Sequence, residues 1–510
     1  MSAEYDVIVV GSGIAGCVAA SCAAEAYPAG RVLLASSGPL FSGSSFFRGT
    51  WGLGLIAPAD DADAADLAAS IAEVGCHQLD GQLVESFVAD IEPAVQRLEA
   101  WGVQLRRAAQ GTADQREYIP CFDHKHRSWR GLECASFKEV LGARLQGQGV
   151  HRRGGLELLD IRTDDSGAVC GALFWDEREG AFMQLGCRAL VLAGGGAGSL
   201  FSRRLTSGDC RATMQALAAG AGASLVNMEF MQFMPGMVSP RKGLVFNEKT
   251  FKYMRLPHDV LERLGGEHEA RRLLELRSGY GPFTARLESC AIDLAIEEAG
   301  PQGLALQPEF PRELPDFVQV YNRWLQSEMG VDPCAPLRVA LYAHASNGGI
   351  RIGTDASTGV AGLYAAGECT GGMHGADRLG GLSTANCLVF GMRAGESAAR
   401  WAAHDASTLG ERELPVWTAV ASTAAQAAEE GMRAAVDEHC MALRSMAGLE
   451  QAAAALECCA SDLEGGLAPS SNPRDAAFTR RTALRLQTAA AMVGAARRRP
   501  GSCGSHCVVG

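Results

Sequence analysis

Between Gly362 and Ala399 the chain runs a short apolar stretch, Gly362-Leu-Tyr-Ala-Ala, into the glycine-rich loop Gly367-Glu-Cys-Thr-Gly-Gly-Met-His-Gly-Ala-Asp-Arg-Leu-Gly-Gly. A helical pattern opens directly after it, near Ser383. Repeated glycine lets main-chain N–H groups approach ring edges and phosphates that a Cβ would hold away. The helix start adds partial positive charge toward an electron-rich ligand atom. Strand, loop and helix in this order describe backbone laid against a flat, polyanionic ligand, with one arginine, Arg378, in its midst.

A second segment of the same kind lies at the N-terminus. Tyr5-Asp-Val-Ile-Val-Val is a β-branched run, followed at once by Gly11-Ser-Gly13-Ile14-Ala15-Gly16 and an alanine-rich helical pattern from Cys17 to Ala26. This is the layout of a dinucleotide fold, with a pyrophosphate expected at the helix N-terminus. A second strand, Arg31-Val-Leu-Leu-Ala, should end in an acid for the ribose hydroxyls, but Ser36 stands there, so the charge-assisted contact is missing. Strand signals at 156–159, 169–174 and 189–193 lead to Gly194-Gly195-Gly196, and Thr206-Ser-Gly-Asp209 is expected to open a helix from Cys210 to Ala219.

A chain of 510 residues exceeds one ordinary core, so two or three domains are expected. Its net charge of -12 argues against nucleic acid, and an anionic substrate then needs a local cationic pocket. The 17 cysteines are scattered, without the spacing of a zinc or iron–sulfur site. The Cys503-Gly-Ser-His506-Cys507 cluster reads as a frayed tail, and no metal site is expected. No apolar run spans a bilayer and no basic leader precedes the first strand, so a cytoplasmic protein without an integral membrane segment is expected.

The Gly362–Ala399 stretch resembles the isoalloxazine-binding segment of the succinate dehydrogenase, fumarate reductase and L-aspartate oxidase flavoproteins, which reads GLYAAGE…GxHGANRLGGNS. The resemblance implies an α/β protein: a Rossmann-like FAD-binding domain in two parts, 1–233 and 343–400, an inserted α+β capping domain, 234–342, and a C-terminal helical region, 401–510. It assigns to FAD the residues Gly11, Gly13, Ile14, Ala15, Gly16 and Ser36. It adds Ser44, Ser45 and Gly52 in a flavin-cradling run, Ala193, Gly194, Gly195 and Asp209 around the adenosine, and Gly367, Glu368, Arg378 and Ser383. Residues 37–76 hold no histidine, so the family's covalent histidyl bond is unavailable there and FAD is expected to be non-covalent.

For catalysis the resemblance implies that His344 and Arg378 hold a substrate carboxylate, and that Arg286, one residue out of register, exchanges a proton at carbon while flavin exchanges hydride. Glu248, after Asn247, falls at a family position for substrate binding and proton relay. Three departures matter. Met234 and Gly236 replace a histidine and a threonine of the family, removing one end of the usual dicarboxylate clamp because a thioether donates no hydrogen bond. Cys503 replaces an arginine near the C-terminus. The basic cluster His124, His126 and Arg127 resembles a loop of L-aspartate oxidases, with Asp123 as the nearest acid and Cys121 in the simple register of the expected carboxylate. The expected function is oxidation of an amino acid or reduction of an alkene carboxylate. A different unsaturated carboxylate, an electron-transfer subunit with an iron–sulfur partner, and a flavin protein without turnover are the alternatives.

Overall fold

The structure is a computed structural model that describes residues 4–49, 51–107, 127–404, 419–464 and 470–509. Its main sheet has seven strands, in the order His151–Gly154, Val32–Ser36, Glu4–Val10, Ala181–Leu192, Val169–Asp176 and Leu156–Thr163, with Leu363–Ala365 pairing beside Ala181–Leu192. The pairs among the first four strands and the Leu363–Ala365 pair are parallel, while Leu156–Thr163 and Val169–Asp176 form an antiparallel extension. Val7, Ile8 and Val9 point alternately to opposite faces and all are fully buried, so both faces are covered; this is why the strand reads as one continuous apolar run.

Helices Ile14–Ala26 and Leu382–His404 come from opposite ends of the sequence and pack together against this sheet. Gly395 permits the approach, since a Cβ there would stand 2.1 Å from the Ala19 carbonyl oxygen. Gly11, at φ +111°, makes the turn out of the first strand, and a Cβ on it would meet the Ala193 carbonyl oxygen at 2.2 Å.

A four-stranded antiparallel sheet, Met231–Ser239, Leu337–Ser346, Leu304–Pro308 and Met254–Arg255, forms the centre of a second core. Phe233, Phe246 and Tyr342 of this core share it with Met432, Val436, Leu449 and Val493 from helices Ser422–His439, Met446–Glu464 and Pro473–Arg497. The basic final helix packs on acidic residues of the main sheet: Arg481 Nε donates to Glu157 at 2.7 Å and Arg480 pairs with Asp160 at 3.4 Å. Among the described residues no helix is long and apolar enough to cross a membrane.

Two local expectations are corrected. The helix expected from Cys210 begins only at Met214, because Ser207 and Asp209 bond to each other at 3.1 Å instead of capping it. The C-terminal segment is not frayed: Cys507–Val509 pairs in parallel with Leu443–Ser445, and His506 is fully buried, its two ring nitrogens facing Arg444 at 2.7 Å and the Arg499 carbonyl at 2.9 Å.

Candidate active site

A cavity of about 980 Å³ opens where the two glycine-rich segments meet. Gly11, Gly13, Ile14, Ala15 and Ser36 line it from the N-terminal unit, Ser44, Ser45 and Gly52 from the following loop, and Ala193, Gly194, Gly195 and Asp209 from the turn after Ala181–Leu192. Gly367, Glu368, Arg378 and Ser383 complete the wall from the later segment. The helices starting at Ile14 and Leu382 thus both present their N-termini to one space, where aligned N–H groups favour an anionic ligand. Gly16 does not line the cavity. A Cβ there would collide with the Gly11 carbonyl oxygen at 1.8 Å, so its glycine serves the packing of helix on turn.

The residues fit FAD on their own terms. Thr213 Oγ1, His344 Nδ1 and Glu248 Oε1 are buried in the cavity lining without a hydrogen-bond partner, which a bound polar ligand would supply. Glu368 Oε1 accepts from the Ser346 N–H at 2.9 Å, and its burial raises its pKa.

Three of the candidate side chains, Arg378, His344 and Glu248, line this one cavity. Arg378 is nearly buried; its Nε donates to Gln232 Oε1 at 3.1 Å, while Gln232 Nε2 donates back to the Arg378 carbonyl at 3.3 Å. Gln232 therefore fixes the direction of the guanidinium, a positioning role readable only once Met231–Ser239 is placed beside the loop. His344 lies on the neighbouring strand, and burial, then the Arg378 charge, lower its pKa to about 3, leaving it a neutral donor or acceptor at pH 7. Glu248 is also buried, and burial raises its pKa despite Lys249 and Arg277. Arg277 is already committed, with Nε to Asp293 at 2.7 Å and Nη2 at 2.9 Å, so it leaves the Glu248 carboxyl without an ion pair.

Arg286 is not brought to the cavity wall. Its Nε donates to Asp377 Oδ2 at 3.2 Å, and Asp377 also accepts from Thr284 Oγ1 at 2.5 Å. Arg286 is thus tied to Asp377, the residue before Arg378, and is absent from the cavity lining. Arg127 is buried and bonds Asp66 at 2.8 Å and Ser70 at 3.2 Å, besides Asp63, so it anchors helix Asp61–Val74. His124, His126, Asp123 and Cys121 lie outside the described residues.

Asp377 yields a pH prediction. Burial raises its pKa from 3.8 to about 7, so the folded protein holds a proton that the unfolded chain has released, and stability falls as pH rises across that window. Asp377→Asn should flatten the decline between pH 4 and 7 in urea titrations; an unchanged slope rejects the assignment.

The chain is similar to known flavoproteins over most of its length. An FAD binding domain family matches residues 6–384. The chain is 28% identical to the fumarate reductase flavoprotein subunit of Escherichia coli over 78% of its own length and 68% of that protein. It is 28% identical to the L-aspartate oxidase of Caulobacter vibrioides over 87% and 84%. A solved variant of E. coli quinol fumarate reductase FrdA shares the fold, with a TM-score of 0.79 and 24% identity over 100% of this chain and 92% of that one.

Proposed function

Since the chain belongs to the FAD-dependent oxidoreductases of the fumarate reductase and L-aspartate oxidase family, we propose that it exchanges a hydride between bound FAD and a carboxylate-bearing substrate. The observation that carries this reading is the convergence of Arg378, His344 and Glu248 on the cavity that the two glycine-rich segments enclose. Bound FAD supplies a two-electron carrier able to give or accept hydride. The residues named for FAD in the sequence hold it, except that Gly16 acts through the turn.

The Arg378 guanidinium is a planar fork suited to both oxygens of a carboxylate, and neutral His344 adds a hydrogen bond beside it. Glu248 handles the proton at the substrate carbon, because it lines the cavity, has an unpartnered oxygen and is held toward its protonated form. Arg286, expected in that role, is assigned a support role through Asp377. The segment 234–342 acts as the cap that keeps water from the reacting atoms.

The test is anaerobic. Photoreduced protein is mixed with enoic acids, and oxidised protein with saturated acids and amino acids, while the flavin spectrum is followed. Reoxidation or bleaching by a carboxylate is expected; a flavin that no carboxylate of either panel reoxidises or bleaches, yet that passes electrons to an artificial acceptor, overturns the reading in favour of an electron-transfer subunit. Acid denaturation should release all FAD to the supernatant, since His344 is the only histidine lining the cavity among the described residues and residues 37–76 have none. Yellow colour retained in the pellet would reject non-covalent binding.

A further inference from the structure

The cavity wall beside Glu248 is apolar. Helix Asp316–Ser327 turns Phe317 and Trp324, seven positions apart on one helical face, toward the cavity, and Met329 follows just past its end. Trp51 meets Phe317 edge-on with ring centroids 4.8 Å apart, and Tyr321 at 5.7 Å. This cluster is tied to the catalytic segment. Tyr321 Oη donates to the Val245 carbonyl at 2.7 Å, and the Val245 N–H donates to the Gly49 carbonyl at 2.8 Å, three residues before Glu248. Met234 joins the same wall from strand Met231–Ser239, paired with Tyr342, two residues before His344. Phe317, Trp324, Met329 and Met234 are each at most 8% exposed, so the wall is set by packing before any ligand enters.

Among the described residues the cations lining the cavity are Arg48, Arg106, Lys138, Arg211 and Arg378, of which Arg378 alone is buried. Glu328 also lines the cavity and, like Arg48, is exposed to solvent, with the opposite sign. The Asn247 amide oxygen is spent on the Lys249 N–H at 2.9 Å. Buried positive charge lining the cavity is therefore offered at Arg378. A second carboxylate would be set against thioethers and ring faces, which repay none of its desolvation, whereas an apolar body gains dispersion and released water there.

From this wall we infer that the substrate is a monocarboxylate bearing an apolar, ring-sized body. Its carboxylate lies on Arg378 and His344, and its body on Trp51, Phe317, Trp324, Met329 and Met234. The inference rests on the hydride-exchange reading above and narrows the substrate class.

The test is equilibrium calorimetry on the FAD-loaded, oxidised protein with trans-cinnamate, 3-phenylpropanoate, fumarate, succinate and cinnamyl alcohol as probes. Cinnamate is expected to bind about 10-fold or more tightly than fumarate, from the apolar area it buries. Trp324→Ala should lose about 10-fold in cinnamate affinity and leave fumarate unmoved, and Trp324→Phe should retain most of the affinity if the alanine variant folds poorly. Met234→His should narrow the gap between cinnamate and fumarate. Fumarate or succinate binding more tightly than either aryl acid to the wild-type protein overturns this inference and leaves hydride exchange with a carboxylate intact. If no carboxylate binds while FAD does, or if cinnamyl alcohol binds as tightly as cinnamate, the carboxylate reading fails, and the inference with it.

Discussion

Glu248→Gln is expected to lower kcat by about 10²- to 10⁴-fold, the usual contribution of a positioned acid or base, with FAD still bound. Glutamine keeps the side chain's shape and fills the same buried site, so folding and cofactor content should change little. What it removes is the proton. Burial already drives this carboxyl toward its neutral form and outweighs the opposing charges of Lys249 and of Arg277, which is bound to Asp293 on two atoms. Single-turnover reoxidation of the reduced protein measures the step directly. Arg286→Lys supplies the contrast, because an arginine held off the wall by Asp377 should cost less than about 10-fold, well below the range for a direct proton donor. The reverse order of effects would return the proton to Arg286.

The second large effect is expected at Arg378. Truncating a buried charged partner typically costs about 2–5 kcal/mol, so Arg378→Ala should weaken carboxylate binding by about 30-fold to several thousand-fold. Arg378→Lys should recover part of this through charge alone, because lysine lacks the fork that meets two oxygens. Gln232 also loses its partner in either variant, so Gln232→Leu is the informative companion. It should disturb the direction of the guanidinium while leaving its charge, and give a smaller loss. Unchanged affinity in the alanine variant would remove Arg378 from the carboxylate site. His344 should add no pH dependence between pH 5 and 8, since with a pKa near 3 it is neutral throughout.

Much of the candidate site is readable in the chain because glycine patterns are local. Gly11, Gly13, Gly195 and Gly367 mark places where backbone must turn or come close to something, and all four line one cavity. Helix starts, too, are largely local: the one read near Ser383 falls at Leu382, while the one read at Cys17 comes three residues earlier, at Ile14. The errors arise where distant residues decide. Asp209 looks like a cap, but Ser207 takes its carboxylate. Arg127 stands in a basic cluster whose partners the sequence does not name, and the acids of helix Asp61–Val74 bind it in a buried position.

The sequence by itself thus determined the cofactor class, the α/β framework and the identity of Arg378 and His344 as candidates, because each is written in a short run of neighbouring residues. Only the tertiary structure decided that Arg286 bonds Asp377 instead of lining the cavity, that Gln232 bonds Arg378, and that Trp51, Phe317, Trp324, Met329 and Met234 line the same cavity as Glu248. Trp51, the Gln232–Met234 stretch, Arg286, the Phe317–Met329 stretch and Arg378 lie tens to hundreds of positions apart. Their contact depends on how the antiparallel sheet, helix Asp316–Ser327 and the first loop pack against one another, and no local pattern encodes that.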